Sequence, residues 1–201
     1  AAVFAVILYH AGNPAVFGIK LFTGGFIGVD IFFVISGYLI ASLILKELEK
    51  TGKFSILHFY ERRARRILPA LFTVMLASLP IAWIYLRLLP AQYIDFAKSI
   101  ISSIFFSSNF YFHYTGLEYA TREGLSIPFL HTWSLSVEEQ FYIIFPFILI
   151  LCFNFFRKYL LHILIFGIVI SLLFADWSSR NYPSFAFYAL PTRGWELLAG
   201  A

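Results

Sequence analysis

A handful of ionisable residues stand in apolar surroundings, and these are the groups able to do chemistry. His10 closes the first apolar segment, in Leu8-Tyr-His-Ala-Gly12. Asp30 stands in Gly28-Val-Asp-Ile-Phe-Phe-Val-Ile-Ser-Gly37. That is about five residues into an apolar run, or roughly 8 Å along a helix. An ionisable side chain inside a membrane span is costly to bury, which makes it a functional candidate. A carboxylate beside an imidazole fixes its tautomer and raises its basicity. A His10–Asp30 pair is therefore expected to act as a general base. The competing reading is structural: His10 as an interfacial histidine at a helix end, and Asp30 bonded to a backbone amide or an outer-loop cation.

Glu138 and Glu139 fall in His131-Thr-Trp-Ser-Leu-Ser-Val-Glu-Glu-Gln-Phe-Tyr142, at the start of an apolar run. Carboxylates are stabilising near a helix N-terminus, and Ser134 or Ser136 is placed to cap it. The functional alternative turns one glutamate inward to hold a sugar hydroxyl or a histidine. Adjacent residues differ by about 100° around a helix, so at most one is expected to face a given site. His131 is a weaker candidate for carrying a proton. Arg193 and Glu196 are three positions apart and so can pair on one helix face. Such a pair is more often structural than catalytic.

The strongest concentration of charge is Phe59-Tyr-Glu-Arg-Arg-Ala-Arg-Arg-Ile-Leu-Pro69, with Arg62, Arg63, Arg65 and Arg66 close together. On a helix these arginines are expected to share one broad arc, opposite Tyr60, Ala64, Ile67 and Leu68. One reading is a membrane anchor, with cytoplasmic arginines meeting lipid phosphates. The other is a polyanion site, since guanidinium forks match phosphate oxygens. Composition favours the anchor.

The elements that must position these groups are membrane helices. The chain has 201 residues, 60% hydrophobic and only 13% charged, against about 25% charged in a soluble domain. Its net charge of +4 sits in short segments beside apolar runs, which is not a nucleic-acid signal. The single cysteine, Cys152, excludes an intrachain disulfide and a cysteine metal cluster. No phosphate-binding glycine loop, His-x3-His metal spacing or Gly-x-Ser-x-Gly elbow occurs.

The expected fold is an all-α polytopic transmembrane bundle of about six spans plus a re-entrant segment. The spans are one ending near His10, then 25–45, 67–89 (kinked at Pro80), 137–156, 160–175, and a last helix cut short after Arg193. Residues 99–112 are apolar but short and broken by serines, so they are expected to dip in and return, lining a cavity. Both ends look cut: residues 1–201 read as one membrane domain truncated at each end. The linker from Lys46 to Arg66, and Arg157-Lys158, are expected on the cytoplasmic side. Residues 90–136 then fall mostly outside. Gly37 offers a small surface for close helix packing.

Five stretches in this order carry a resemblance: Leu8–Gly12, Gly25–Tyr38, Phe59–Pro69, His131–Tyr142 and Arg193–Gly200. Each is weak alone. Together they resemble acyltransferase family 3, the group with bacterial lipopolysaccharide and peptidoglycan O-acetyltransferases. The resemblance implies a multi-pass protein of the inner (plasma) membrane. It implies acyl-CoA, chiefly acetyl-CoA, as cytoplasmic donor, and a glycan hydroxyl on the outer side as acceptor. No bound cofactor, metal or nucleic-acid partner is expected. The family's histidine falls on His10, and its Arg-x-x-Arg pair on Arg63 and Arg66. A further basic residue that the family carries ahead of the histidine falls before Ala1. The implied roles are His10 as general base or nucleophile, Asp30 orienting it, Arg63 and Arg66 holding CoA phosphates, and Glu138 positioning the acceptor or steadying the histidine. The rival function is a membrane transporter of a small polar or acyl-linked substrate, with no covalent chemistry.

Overall fold

A computed structural model of the chain describes residues 15–16, 19–20, 27–115 and 129–201. His10 lies outside the described residues. Apart from one short antiparallel pairing of Ala15–Val16 with Ile19–Lys20, the regular elements described are helices. They are α1 (Ile27–Thr51), α2 (Ile56–Leu86), α3 (Pro90–Ile104), α4 (Ser108–Tyr114), α5 (Thr132–Phe156), α6 (Leu160–Asn181), α7 (Pro183–Tyr188) and α8 (Leu190–Gly200). A 3-10 turn, Arg157–Tyr159, joins α5 to α6.

The expected all-helical character is therefore present. Among the described residues, three helical stretches are long and apolar enough to cross a bilayer: α1, α2, and the run 132–181 made of α5, the turn and α6. The third stretch holds two of the expected runs, 137–156 and 160–175, one in α5 and one in α6. The expected first span lies outside the described residues. Residues 99–112 are split between α3 and α4, and α8 has 11 residues.

The chain divides into two compact units, 1–46 with 141–201, and 47–140. In the second unit, α2 begins at Ile56, well before the expected start at Ile67. Arginine is a good helix former, and no glycine or proline stands between Lys53 and Leu68. The arginine cluster is thus helical, and the linker shrinks to residues 52–55. Gly52 adopts a positive φ of 68° there, directly after α1. The Glu47 carboxylate accepts the Ser55 amide (3.0 Å). Along α2, the half-buried or buried positions Tyr60, Arg63, Ile67, Leu71, Met75, Ser78 and Ala82 form one stripe, at the three- and four-residue spacing of a helix face. Its apolar part packs with Phe96 and Phe129.

The serine-rich segment breaks between α3 and α4, where Phe106 takes a φ of 50°. A bulky residue there is strained. Gln140 Nε2 holds it by donating to the Phe106 carbonyl (2.9 Å) and to Asn109 Oδ1 (2.8 Å). The serines find partners at the start of α5. Ser103 and Thr132 hydroxyls lie 2.7 Å apart, Thr132 donates to Ser108 (3.0 Å), and Ser108 and Ser136 lie 2.7 Å apart. All four residues are buried, so these bonds offset the cost of removing hydroxyls from water.

In the first unit, α8 packs on α1 and α6 through small residues. A β-carbon at Gly37 would collide with the Leu197 carbonyl, and one at Gly200 with the Val34 carbonyl. A β-carbon at Gly194 would lie 3.3 Å from Ser171 Oγ. That hydroxyl accepts the Trp195 amide (2.8 Å) and donates to the Pro191 carbonyl (2.7 Å). These are the two groups that an ordinary helical bond would join. The serine is inserted into the first turn of α8, a recognised way of opening a helix. Leucines, isoleucines and phenylalanines on α1, α5 and α6 remain exposed, among them Ile35, Phe147 and Ile170, as a membrane-facing surface requires.

Candidate functional sites

Six of the ionisable groups singled out in the sequence gather into two arginine-centred clusters, one in each unit. The first lies between α2 and the start of α5. Arg63 Nη2 donates to Glu139 Oε1 at 3.2 Å and lies 3.9 Å from Glu138 Oε1. The side chains are 17% (Arg63), 5% (Glu138) and 13% (Glu139) exposed. Taking charges out of water costs several kcal/mol per ion, and this guanidinium offsets part of that cost for both carboxylates. The arrangement departs from expectation twice. The four arginines do not share one outward arc: Arg63 lies on the inward stripe of α2, while Arg62, Arg65 and Arg66 are exposed. Both glutamates, not one, reach the same group, because Arg63 approaches between their two directions.

The outward arginines behave differently. Arg62 lies 3.7 Å from Glu47, and Arg65 2.7 Å from Glu61. Exposed pairs of this kind contribute little. Arg66 is exposed and has no ion-pair partner among the described residues. The Arg-x-x-Arg pair is thus split: Arg66 is available to an external anion, and Arg63 is already matched by carboxylates.

The second cluster joins α1 to α8. Arg193 Nη1 donates to Glu196 Oε1 (2.9 Å), the expected three-residue pair, and to Asp30 Oδ1 (3.4 Å). Arg193 Nε donates to the Phe187 carbonyl (3.2 Å), and the guanidinium lies 5.1 Å from the centroid of the Phe187 ring. Glu196 is fully buried, and its Oε2 has no hydrogen-bond partner among the described residues. Asp30 is the most exposed carboxylate of the two clusters, with 35% of its side chain accessible. The His10–Asp30 pairing cannot be placed, since His10 is outside the described residues. Arg193 as a partner of Asp30 was missed in the sequence. The signal was present: a carboxylate inside an apolar run needs a cation, and Arg193 is the lone cation of α8.

Among the described residues, no group of three or more His, Cys, Asp or Glu is placed to hold a metal.

Comparison with known proteins bears on what these clusters serve. Residues 1–201 match the family described as Acyltransferase domain. The chain is 37% identical over 206 aligned residues to the peptidoglycan O-acetyltransferase OatA of Listeria monocytogenes, covering 99% of this chain and 31% of that protein. It is 36% identical to the putative O-acetyltransferase SACOL0978 of Staphylococcus aureus, covering 99% of this chain and 32% of that one. The O-acetyltransferase OatA of Staphylococcus aureus is 36% identical over 148 residues, 74% of this chain and 23% of the relative. The chain thus spans about a third or less of the length of these relatives. No solved structure matches it.

Proposed function

The chain belongs to the acyltransferase-domain family, and we propose that it forms part of the membrane machinery of an O-acetyltransferase acting on a cell-surface glycan of the peptidoglycan type. The observation that carries this reading is the match along all 201 residues, with named O-acetyltransferases aligned over 99% of the chain. Ionisable side chains held in and beside membrane-length helices agree with it, since such groups mark function more often than structure.

The proposed donor is acyl-CoA, chiefly acetyl-CoA, on the cytoplasmic side of the inner (plasma) membrane. Arg66 holds a CoA phosphate from the exposed face of α2, and Arg63 holds another in exchange for one of its two carboxylates. His10 takes the proton of the acceptor hydroxyl as the oxygen attacks the thioester carbonyl. The new C–O bond forms, the C–S bond breaks, and the CoA thiolate leaves and takes up the proton. Asp30, on the apolar helix that follows His10 in the chain, orients the imidazole. Glu138, 3.9 Å from Arg63, steadies that guanidinium on the donor side rather than positioning the acceptor.

The test is made in the full-length protein. His10→Ala abolishes acetylation of the glycan, read by mass spectrometry, while membrane insertion stays intact; normal acetylation in that variant sinks the assignment. Arg66→Ala weakens acyl-CoA binding; an unchanged affinity with altered topology returns the arginines to a purely anchoring role. The rival reading, a transporter, predicts substrate movement without acetyl-CoA turnover, and a transport assay run beside a CoA-release assay separates the two.

A further inference from the structure

Beside the second cluster lies a cavity of about 470 Å³, bordered by Asp176 and Ser179 of α6, Phe187 of α7, and Thr192, Arg193 and Trp195 of α8. We infer that this cavity is a subsite for one neutral, hydroxyl-bearing sugar unit of the acceptor glycan. The inference rests on the acyltransferase reading and adds to it where the acceptor is held.

Four observations point the same way. The volume falls in the range of small-molecule sites, about 300–1,000 Å³. The wall offers aromatic surface, and the C–H face of a pyranose ring packs against the electron-rich face of an aromatic ring. Phe187 already carries the Arg193 guanidinium, while half-buried Trp195 makes no ring-to-ring contact among the described residues. The rim offers hydroxyl partners. Asp176 is exposed and accepts from Arg180 through Oδ1 (2.9 Å), and a carboxylate has capacity for about four acceptor contacts. Ser179 donates to the Asp176 carbonyl (2.7 Å), which leaves its oxygen able to accept.

Charge and depth narrow the class. The cavity wall carries one carboxylate, Asp176, and one guanidinium, Arg193, each already in an ion pair. That balance offers no net attraction to the phosphates of CoA and suits an uncharged polyol. Asp176 lies 16 residues after Leu160, where α6 begins. At about 1.5 Å per residue this is roughly 24 Å, most of a hydrocarbon core of about 30 Å. The opposite end of α6 follows Arg157-Lys158, the cytoplasmic end by the positive-inside rule. The cavity therefore opens toward the outer face, where a cell-surface glycan is found.

The test uses the full-length protein in lipid nanodiscs, with a soluble N-acetylglucosamine tetramer as probe and equilibrium binding as readout. The wild type binds the tetramer. Trp195→Ala and Ser179→Trp each weaken binding about tenfold, the loss expected for one aromatic contact. Asp176→Asn weakens it less, and acyl-CoA affinity is unchanged in every variant. Ser179 is exposed, so Ser179→Trp fills the cavity from its rim without disturbing buried packing. The inference is overturned if the wild type does not bind the tetramer, or if Ser179→Trp and Trp195→Ala both bind as wild type does. Acetyl transfer is measured separately. A protein that binds sugar through these residues yet transfers no acetyl group removes the acyltransferase reading and keeps the cavity. One that transfers acetyl groups at wild-type KM with Ser179→Trp removes the cavity alone.

Discussion

Arg63 and Arg193 each meet two carboxylates, yet the two clusters are built differently. Arg63 reaches consecutive residues on another helix, 76 positions from Glu139. Arg193 takes one partner from its own helix and another, Asp30, from 163 positions away. In the first cluster both acids are shielded, 5% and 13% exposed. In the second they are unlike: Glu196 is 1% exposed and Asp30 35%. A shielded triad resists loss of any member, because no water replaces what is lost. A triad with one wet corner can have that corner rearranged at little cost. The exposed corner, Asp30, is also the residue that the sequence marks for chemistry.

Substitution can break or sharpen this contrast. The largest effect is expected for Arg63→Ala, which leaves two buried carboxylates side by side. A loss of about 3–5 kcal/mol is expected from breaking a buried pair, read as a fall in unfolding temperature of the purified protein. Asp30→Ala is expected to cost less, about 1.5–3 kcal/mol for charged hydrogen bonds, because water reaches Asp30 and Arg193 keeps Glu196. Equal losses in the two variants would erase the distinction.

A double-mutant cycle refines it further. Coupling between Arg63 and Glu139 is expected at about 1–3 kcal/mol, in the range for groups sharing one network. Between Arg193 and Asp30 it is expected below about 1 kcal/mol, as for a partly hydrated pair. Next comes Ser171→Ala, at about 1 kcal/mol for one hydroxyl. Amide exchange at Trp195 is its sharpest readout: slower exchange would show that α8 closes its own bond once the serine is gone. At the bottom is Arg65→Ala on the outer face of α2, where no measurable change in unfolding temperature is expected.

What was legible in the sequence divides along the same line. The Arg193–Glu196 pair was legible because helix geometry fixes residues three apart. That Asp30 needs a partner was legible from its apolar surroundings; that the partner is Arg193 was not, since nothing local joins positions 30 and 193. The arginine cluster is legible as an amphipathic helix end; that the helix is continuous with the apolar span beyond it is not. The chain there is helical because its residues favour helix and no breaker intervenes. The inward turn of Arg63 follows only once α2 is extended back to Ile56, which puts position 63 on the stripe of Leu71 and Met75. The break in the serine-rich segment was visible. Its repair by Thr132, Ser136 and Gln140 was not, because partners 24 or more residues away leave no periodic trace. Gly37 as a packing surface was legible, since a residue without a side chain inside a long apolar helix has few other uses.

The glycine contacts between α1 and α8 have a consequence for how this sequence can vary. At Gly37 the space for a β-carbon is taken by the Leu197 carbonyl, and at Gly200 by that of Val34. A side chain in the way can rotate; a carbonyl cannot move without its helix. Alanine, elsewhere the mildest of replacements in a helix, is therefore as unwelcome at these two positions as tryptophan. The exposed isoleucines and leucines a turn away can be exchanged for one another freely. The permitted alphabet at Gly37 and Gly200 has one letter, and a library that randomises α1 and α8 should return glycine there before it returns any preference at Asp30 or Arg193.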